Sequence, residues 1–198
     1  MKQNVCHHTP IVGASFTVSA MSNQFVEIIM DAIHTVDSSK VWMETDDVTT
    51  TIRGKSIHIF DVTSAIFLHA AATGEHIAFQ ATYSVGCPGD SDADVYLAED
   101  DQPVNNSKTI YLKQDIAAKF SLYPLGDGDY MKIIYDQIEA MKEELTVSAA
   151  HYSTRLRGDA HSIFINLERA FNETVHAGSR HTVMTVSISA NSPSHQSK

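Results

Sequence analysis

Two runs of hydroxyl-bearing residues stand just before an Arg-Gly pair: Thr49, Thr50 and Thr51 before Arg53-Gly54, and Ser153 and Thr154 before Arg157-Gly158. Hydroxyls and a guanidinium suit ring nitrogens and an alcohol. Upstream of the first run lie Asp46 and Asp47, adjacent acids that fit a turn. Buried against a ligand, one of them would accept bonds from an amine or balance a cationic ring. Cys6-His7-His8 has metal-ligand residue types but lacks the paired spacing of a structural zinc site, and it reads as an N-terminal tail. Cys87, in GCPGD, reads as a turn residue with no histidine in a sequence-defined partnership. There is no phosphate-cradling glycine loop, nucleophile elbow, zincin motif or kinase signature. No catalytic residue and no metal ligand is therefore assigned, and no cofactor is called for. The chemistry on offer is that of binding.

The 198 residues suffice for one large domain or two small ones, and 43% apolar with 19% charged residues is the composition of a folded chain. A formal net charge of −10 argues against a nucleic-acid partner, whose phosphates need a basic footprint. It is compatible with a cationic ligand and equally with plain solubility. No stretch approaches the roughly 18 apolar residues of a membrane span. The first residues carry no apolar run for a signal peptide, so a cytoplasmic location is expected. Two cysteines make no disulfide framework, which fits a reducing compartment.

The elements that must position these residues are written twice. Arg53 and Arg157 are 104 positions apart, and at that offset Ala14, Phe16, Gly54, Phe60 and Phe67 meet Ala118, Phe120, Gly158, Phe164 and Phe171. With one more residue of offset, FVEIIMDAI lies over YMKIIYDQI and HIAFQATYSVGCP over HTVMTVSISANSP. A self-similarity of this length marks a tandem duplication. Each copy reads strand, helix, strand, strand, helix, strand. ASFTVSA (14–20) alternates as a half-buried strand does. Ser22 or Asn23 caps a helix whose core face is Phe25, Ile28, Ile29, Ala32, Ile33 and Val36. Two strands follow, joined by a hairpin around Asp46–Val48, then a helix over 56–72 and a strand over 76–86. Copy two repeats this with strands at 118–124, 145–150, 152–157 and 181–190 and helices at 127–142 and 161–176. The expected fold is α+β: tandem ferredoxin-like βαββαβ repeats, with antiparallel sheets and helices on one face of each. The first repeat covers 10–90, a linker 91–116 with a candidate short strand at DVYLA, and the second repeat 117–194.

Strand parity predicts what the helix-free faces hold. Copy one places Ser15, Thr17, Ser19, Thr49, Thr51, Arg53, Gln80, Thr82 and Ser84 there. Copy two places Lys119, Ser121, Tyr123, Ser153, Arg155, Arg157, Thr185, Ser187 and Ser189. Such a face suits solvent, sheet-to-sheet packing, or a small polar heterocycle. His76 and His181 match between copies at the start of the fourth strand, which favours a structural role.

SSKVWMETDDVTTTIRGKSIHIFDVTSAIFLHAA followed by YSVGCPGD, with FSLYPL, DYM, GDAHSIF and MTVSISANSPS in copy two, resembles the YkoF family over essentially the whole chain. The resemblance implies an ACT-like tandem protein that dimerises and binds thiamine or its hydroxymethylpyrimidine moiety, with a site in each repeat and a role in salvage or transport. The resemblance leaves open whether the final strand is exchanged between repeats. Carried onto this sequence, the ligand-binding positions are Ser15, Asp46, Thr49 and Thr50 in copy one, and Lys119, Ser153 and Thr154 in copy two. Ser15 departs from the longer basic or polar residue expected there. Phe16, Trp42, Tyr83, Tyr123 and Tyr152 are candidate stacking surfaces, or else core. Copy one has Asp46-Asp47 where copy two has Ala150-His151, so the two sites are expected to differ in affinity. The other readings are an ACT-like regulatory module for an amino acid, and a thiamine-pathway enzyme or accessory protein.

Overall fold

A computed structural model describes residues 11–86, 91–126, 129–179 and 181–195. The first repeat runs β1 (Val12–Ala20), α1 (Phe25–Thr35), β2 (Trp42–Thr45), β3 (Thr50–Gly54), α2 (Ser56–Ala71) and β4 (Ile77–Val85). A linker with the short helix α3 (Asn106–Thr109) leads to β5 (Asp115–Leu125), α4 (Tyr130–Met141), β6 (Thr146–Ala150), β7 (Ser153–Asp159), α5 (Ala160–His176) and β8 (His181–Ala190). Alternation sets the strands: in β4, Ile77, Phe79, Ala81, Tyr83 and Val85 are buried while Gln80 and Thr82 are exposed. Cys6, His7, His8 and Cys87 lie outside the described residues.

Each repeat has the ferredoxin-like strand order, but the two sheets are one. The order is β2-β3-β1-β4-β8-β5-β7-β6, with β4 and β8 antiparallel from Ile77 opposite Ala190 to Val85 opposite Thr182. The four-stranded antiparallel sheet expected for each copy is present, and the two run on into each other across β4 and β8. In an isolated repeat the fourth strand would be a bare edge, and joining the two fourth strands covers both. Each final strand lies beside the first strand of its own repeat, so the strands are not exchanged. The helices cover one face in the order α1, α2, α5, α4.

This arrangement explains why Phe60 and Phe164 match, and why the Arg-Gly pair is written twice. Phe60 and Phe164, equivalent in the two repeats, reach across to the other repeat's second phenylalanine. Phe60 meets Phe171 at 6.0 Å and Phe67 meets Phe164 at 5.8 Å between ring centroids. Each buried ring contributes about 2 kcal/mol through area removed from water. Gly54 ends β3 and Gly158 is the residue before the last of β7, each where a neighbour comes close. A Cβ on Gly54 would sit 3.3 Å from the Lys40 carbonyl oxygen, and one on Gly158 would sit 2.9 Å from Leu145 Cδ2.

Two local expectations are overturned. Ser22 does not cap α1; its hydroxyl accepts from the Gln24 amide at 3.3 Å in the preceding turn, and Phe25 is left exposed at the helix start. DVYLA is not a strand but part of a 3-10 helix over Ser91–Ala98. The linker's polar backbone groups are met by side chains of the first repeat instead of a strand edge. Lys55 donates to the Glu99 carbonyl, and the His58 ring meets the Asp100 carbonyl at 2.7 Å. The buried Asp61 carboxylate accepts from the amides of Val104, Asn105 and Asn106 and from the Asn105 side chain, all within 3.1 Å.

Candidate functional site

The face opposite the helices is polar across the whole sheet, and register fixes its rows. One row runs Glu44, Thr51, Ser15, Thr82, Thr185, Ser121 across β2, β3, β1, β4, β8 and β5. The next runs back as Ser148, Arg155, Lys119, Ser187, Gln80, Thr17 across β6, β7, β5, β8, β4 and β1. The two rows are related by a pseudo-two-fold axis passing between β4 and β8, so each repeat contributes to the other's row.

A shallow cavity of about 350 Å³ opens on this face. Ser15 and Thr17 of β1, Thr49 before β3, Gln80 and Thr82 of β4, and Thr185 and Ser187 of β8 line it. Phe16, Ala81 and Val186 form its floor, their side chains buried on the helix side. None of the seven polar side chains hydrogen-bonds to another described residue, although the strands hold them in fixed places. The cavity therefore presents hydroxyl and amide groups without using them. It can satisfy a planar polar ring by donating or accepting, and it places no charge of its own inside.

The residues chosen from sequence separate. Ser15 and Thr49 come together in the cavity. Thr50 lies on the opposite face, 7% exposed, with its hydroxyl 2.9 Å from that of Thr45. Asp46 sits in the exposed hairpin, where its carboxylate accepts from the amides of Val48 at 2.7 Å and Thr49 at 2.8 Å. The Thr49 and Val48 amides hold the Asp46 carboxyl below its ordinary range. In the second repeat, Lys119 and Ser153 share the open-face parity and Thr154 that of the helices, by register with Phe120. The Ser153 hydroxyl makes a long 3.5 Å bond to the His151 carbonyl.

Of the candidate aromatic surfaces, Phe16 and Tyr83 belong to the core. Phe16 packs on Phe79 at 5.6 Å, and Tyr83 stacks on Phe60 at 4.4 Å while donating to the Thr63 hydroxyl. Trp42, opposite Arg53, and the exposed Tyr123 lie on the open face. Tyr152 is almost wholly exposed in the turn before β7, at φ 62°. Sequence parity had put Thr185 and Ser187 on an open face, but their place in the first repeat's cavity depends on the β4–β8 pairing. His76 meets the Ser189 hydroxyl at 3.1 Å across that same seam, which accounts for it structurally.

Among the described residues no three His, Cys, Asp or Glu side chains gather as a metal site, and no helix is long and apolar enough to cross a membrane. A second cleft, of about 110 Å³, lies between α2 and α5 and is lined by equivalent positions of the two helices. It includes Phe60, Asp61 and Ser64 of α2 and Phe164, Ile165 and Glu168 of α5. Burial, with Asp61 nearby, pushes the Glu168 carboxyl up to about 7.

Comparison with known proteins adds the following. The family model described as "YKOF-related Family" matches twice, at residues 11–90 and 115–195. A Bacillus subtilis (strain 168) protein, YkoF, named as a candidate HMP/thiamine-binding protein, is 39% identical over 197 residues, covering 99% of this chain and 98% of its own. A crystal structure of a hypothetical protein from Methanocaldococcus jannascii is 26% identical, with a TM-score of 0.36, covering 38% of this chain and 78% of its own.

Proposed function

The chain belongs to the YKOF-related family, and we propose that it binds thiamine or its hydroxymethylpyrimidine half without transforming it, in salvage or transport of that vitamin. The observation that carries this reading is the cavity on the open face: seven polar side chains, unpaired among the described residues, around a space of about 350 Å³. An aminopyrimidine offers ring acceptors, an amine donor and an alcohol or thiazolium tail, and neutral hydroxyl and amide groups match that set. The absence of a cation among the lining side chains suits a thiazolium, and the ionised Asp46, which accepts from the amide of the lining residue Thr49, adds attraction. The name of the Bacillus subtilis relative points the same way. Nothing in the lining forms a nucleophile–base pair, which favours binding over turnover. We take the protein to work as a homodimer, which light scattering checks by a mass twice the chain's 21.8 kDa.

Calorimetric titration with thiamine, hydroxymethylpyrimidine and a panel of amino acids, followed by mass spectrometry of the mixtures, tests the reading. Saturable thiamine binding with no new product is expected. Absence of heat and of any thermal shift at millimolar thiamine overturns it, and saturable binding of an amino acid instead would favour a regulatory module.

A further inference from the structure

The cleft between α2 and α5 lies on the helix side of the sheet, away from the open-face cavity, and the function proposed above makes no use of it. Equivalent positions of the two helices line it with different chemistry: Asp61 is matched by Ile165, and Ser64 by Glu168. The linker contributes Pro103 and Asn106. Asp61 is committed to the fold, its two oxygens accepting from three linker amides and the Asn105 side chain. Glu168 is not. It makes no ion pair or hydrogen bond with another described residue, and no lysine or arginine is among the lining residues. Ser64 donates its hydroxyl to the Asp61 carbonyl at 3.1 Å and keeps its own lone pairs for a donor. The Asn106 side chain, on the exposed surface, bonds to no other described residue. Three oxygen-bearing side chains with unused acceptor capacity thus surround one space. Ile57, Pro103 and Ile165 give it apolar walls, and Ile165 is left 56% exposed, with surface for a ligand to cover.

We propose that this cleft is a binding site for a small primary alkylammonium ion, separate from the site on the open face. The inference stands independently of the vitamin-binding reading. An ammonium head carries three N–H donors and no acceptor, which matches a carboxylate, a hydroxyl and an amide oxygen. It also supplies the positive charge that the lining lacks, and a charge-assisted bond partly withdrawn from water is stronger than one on the open surface. The space of about 110 Å³ limits the ligand to a chain of a few carbons, since a cavity of about 150 Å³ is already filled by a benzene ring. The apolar walls cover that chain. In the free protein, burial and the nearby Asp61 keep the Glu168 carboxyl protonated up to about pH 7. The ammonium ion pairs with the ionised form, so binding sends the Glu168 proton to solvent, and no other bond is made or broken. The titratable groups around Glu168 in the cleft are Asp61 from α2 and the His161 ring from its own helix, and the linker residues there are uncharged.

Calorimetric titration of the full chain with n-propylammonium near pH 8 tests this, with n-propanol, propionate and tetramethylammonium as controls. Propylammonium is expected to bind once per chain with a dissociation constant of about 1 mM, which is within reach of so small a ligand. The controls, which lack the charge or the N–H donors, should bind at least about tenfold more weakly. The affinity should fall about tenfold between pH 8 and pH 6, and at pH 6 nearly one proton should leave for each ligand bound, seen as a dependence of the heat on the buffer's ionisation enthalpy. Glu168→Gln keeps the shape, removes the charge and should abolish binding at both pH values. Ser64→Ala should weaken it about fivefold. Circular-dichroism melts establish that both variants are folded. Saturating thiamine should leave the propylammonium affinity unchanged, because the sheet separates the two sites. Binding that survives Glu168→Gln, that propanol matches or that does not change with pH overturns the proposal, as does the absence of heat at tens of millimolar propylammonium. If propylammonium binds through Glu168 while thiamine binds nowhere, this site stands and the vitamin-binding reading falls. If thiamine competes with propylammonium, the two share one site and the inference falls.

Discussion

Thr49 and Thr50 are neighbours in the chain and lie on opposite faces of the sheet, and this separates a binding role from a structural one. Thr82 and Thr185 line the cavity with hydroxyls unused by the fold. Replacing either by valine keeps the shape and leaves a ligand polar group unpaired, at a cost of about 1–2 kcal/mol. Thr82→Val is therefore expected to weaken thiamine binding about tenfold, with a melting temperature close to wild type. Thr50→Val should do the opposite. Its hydroxyl is bonded to that of Thr45 behind the sheet, so stability falls by about 1 kcal/mol while the binding isotherm is unchanged. Calorimetry and thermal melts on the same samples separate the two outcomes. Ser15 and Thr49 could be placed on the open face from alternation alone, because a period of two leaves only two sides to choose from. The pairing of Ser15 and Thr49 with Thr185 and Ser187 could not, because it depends on which strand edges meet, and alternation carries no record of that. Asp46 was legible as a turn residue, and its two amide partners confirm that chemistry.

Strands and long helices were legible because hydrophobic period and the duplication report the same thing twice. The linker was not, since its order derives from side chains distant in sequence. Asp61 is the clearest case. An acid in the middle of α2 looks unfavourable in one helix read alone, and its counterpart in α5 is Ile165. In the structure its carboxylate replaces the missing backbone partners of residues 104–106. Asp61→Ala leaves these donors unsatisfied and should cost about 3 kcal/mol or more. It should also release the linker, seen as faster proteolysis between residues 95 and 110 under native conditions. An unchanged cleavage rate would mean that the linker is held by its lysine contacts instead. Gly54 and Gly158 give a paired test at the last residue of β3 and the last but one of β7. Alanine at Gly54 meets the Lys40 backbone and Val41, which cannot yield, whereas at Gly158 it meets only the end of the Leu145 side chain. Gly54→Ala should lower stability by about 1–2 kcal/mol, and Gly158→Ala by less, as the leucine rotates away.

The merged sheet and the α2–α5 contact pack the two repeats against each other, and Glu168 sits at that junction. Its carboxyl faces Asp61 across the inter-helix cleft, with the His161 ring, Ser64 and Asn106 also lining the space. The His161 ring nitrogen is committed to the Thr109 carbonyl at 3.1 Å. Burial first, and Asp61's charge second, raise the Glu168 carboxyl from 4.5 to about 7. The folded protein thus holds a proton that the unfolded chain releases, and the sign follows: this contribution to stability is complete below about 4.5 and is lost as the pH rises through about 7. Glu168→Gln keeps the neutral shape at every pH. It should match wild type near pH 4.5 and exceed it near pH 8 by roughly 2 kcal/mol, allowing for partial solvent screening. For a chain of this size that is a gain of about 5 °C in melting temperature. Because the acid lies between the repeats, the gain should appear in one transition shared by the whole molecule. Melts of both proteins across this pH range, followed by far-ultraviolet and aromatic signals, measure both expectations. A difference that does not grow with pH would place the Glu168 proton elsewhere, and a gain confined to one of two transitions would mean that the repeats melt separately despite the shared β4–β8 seam.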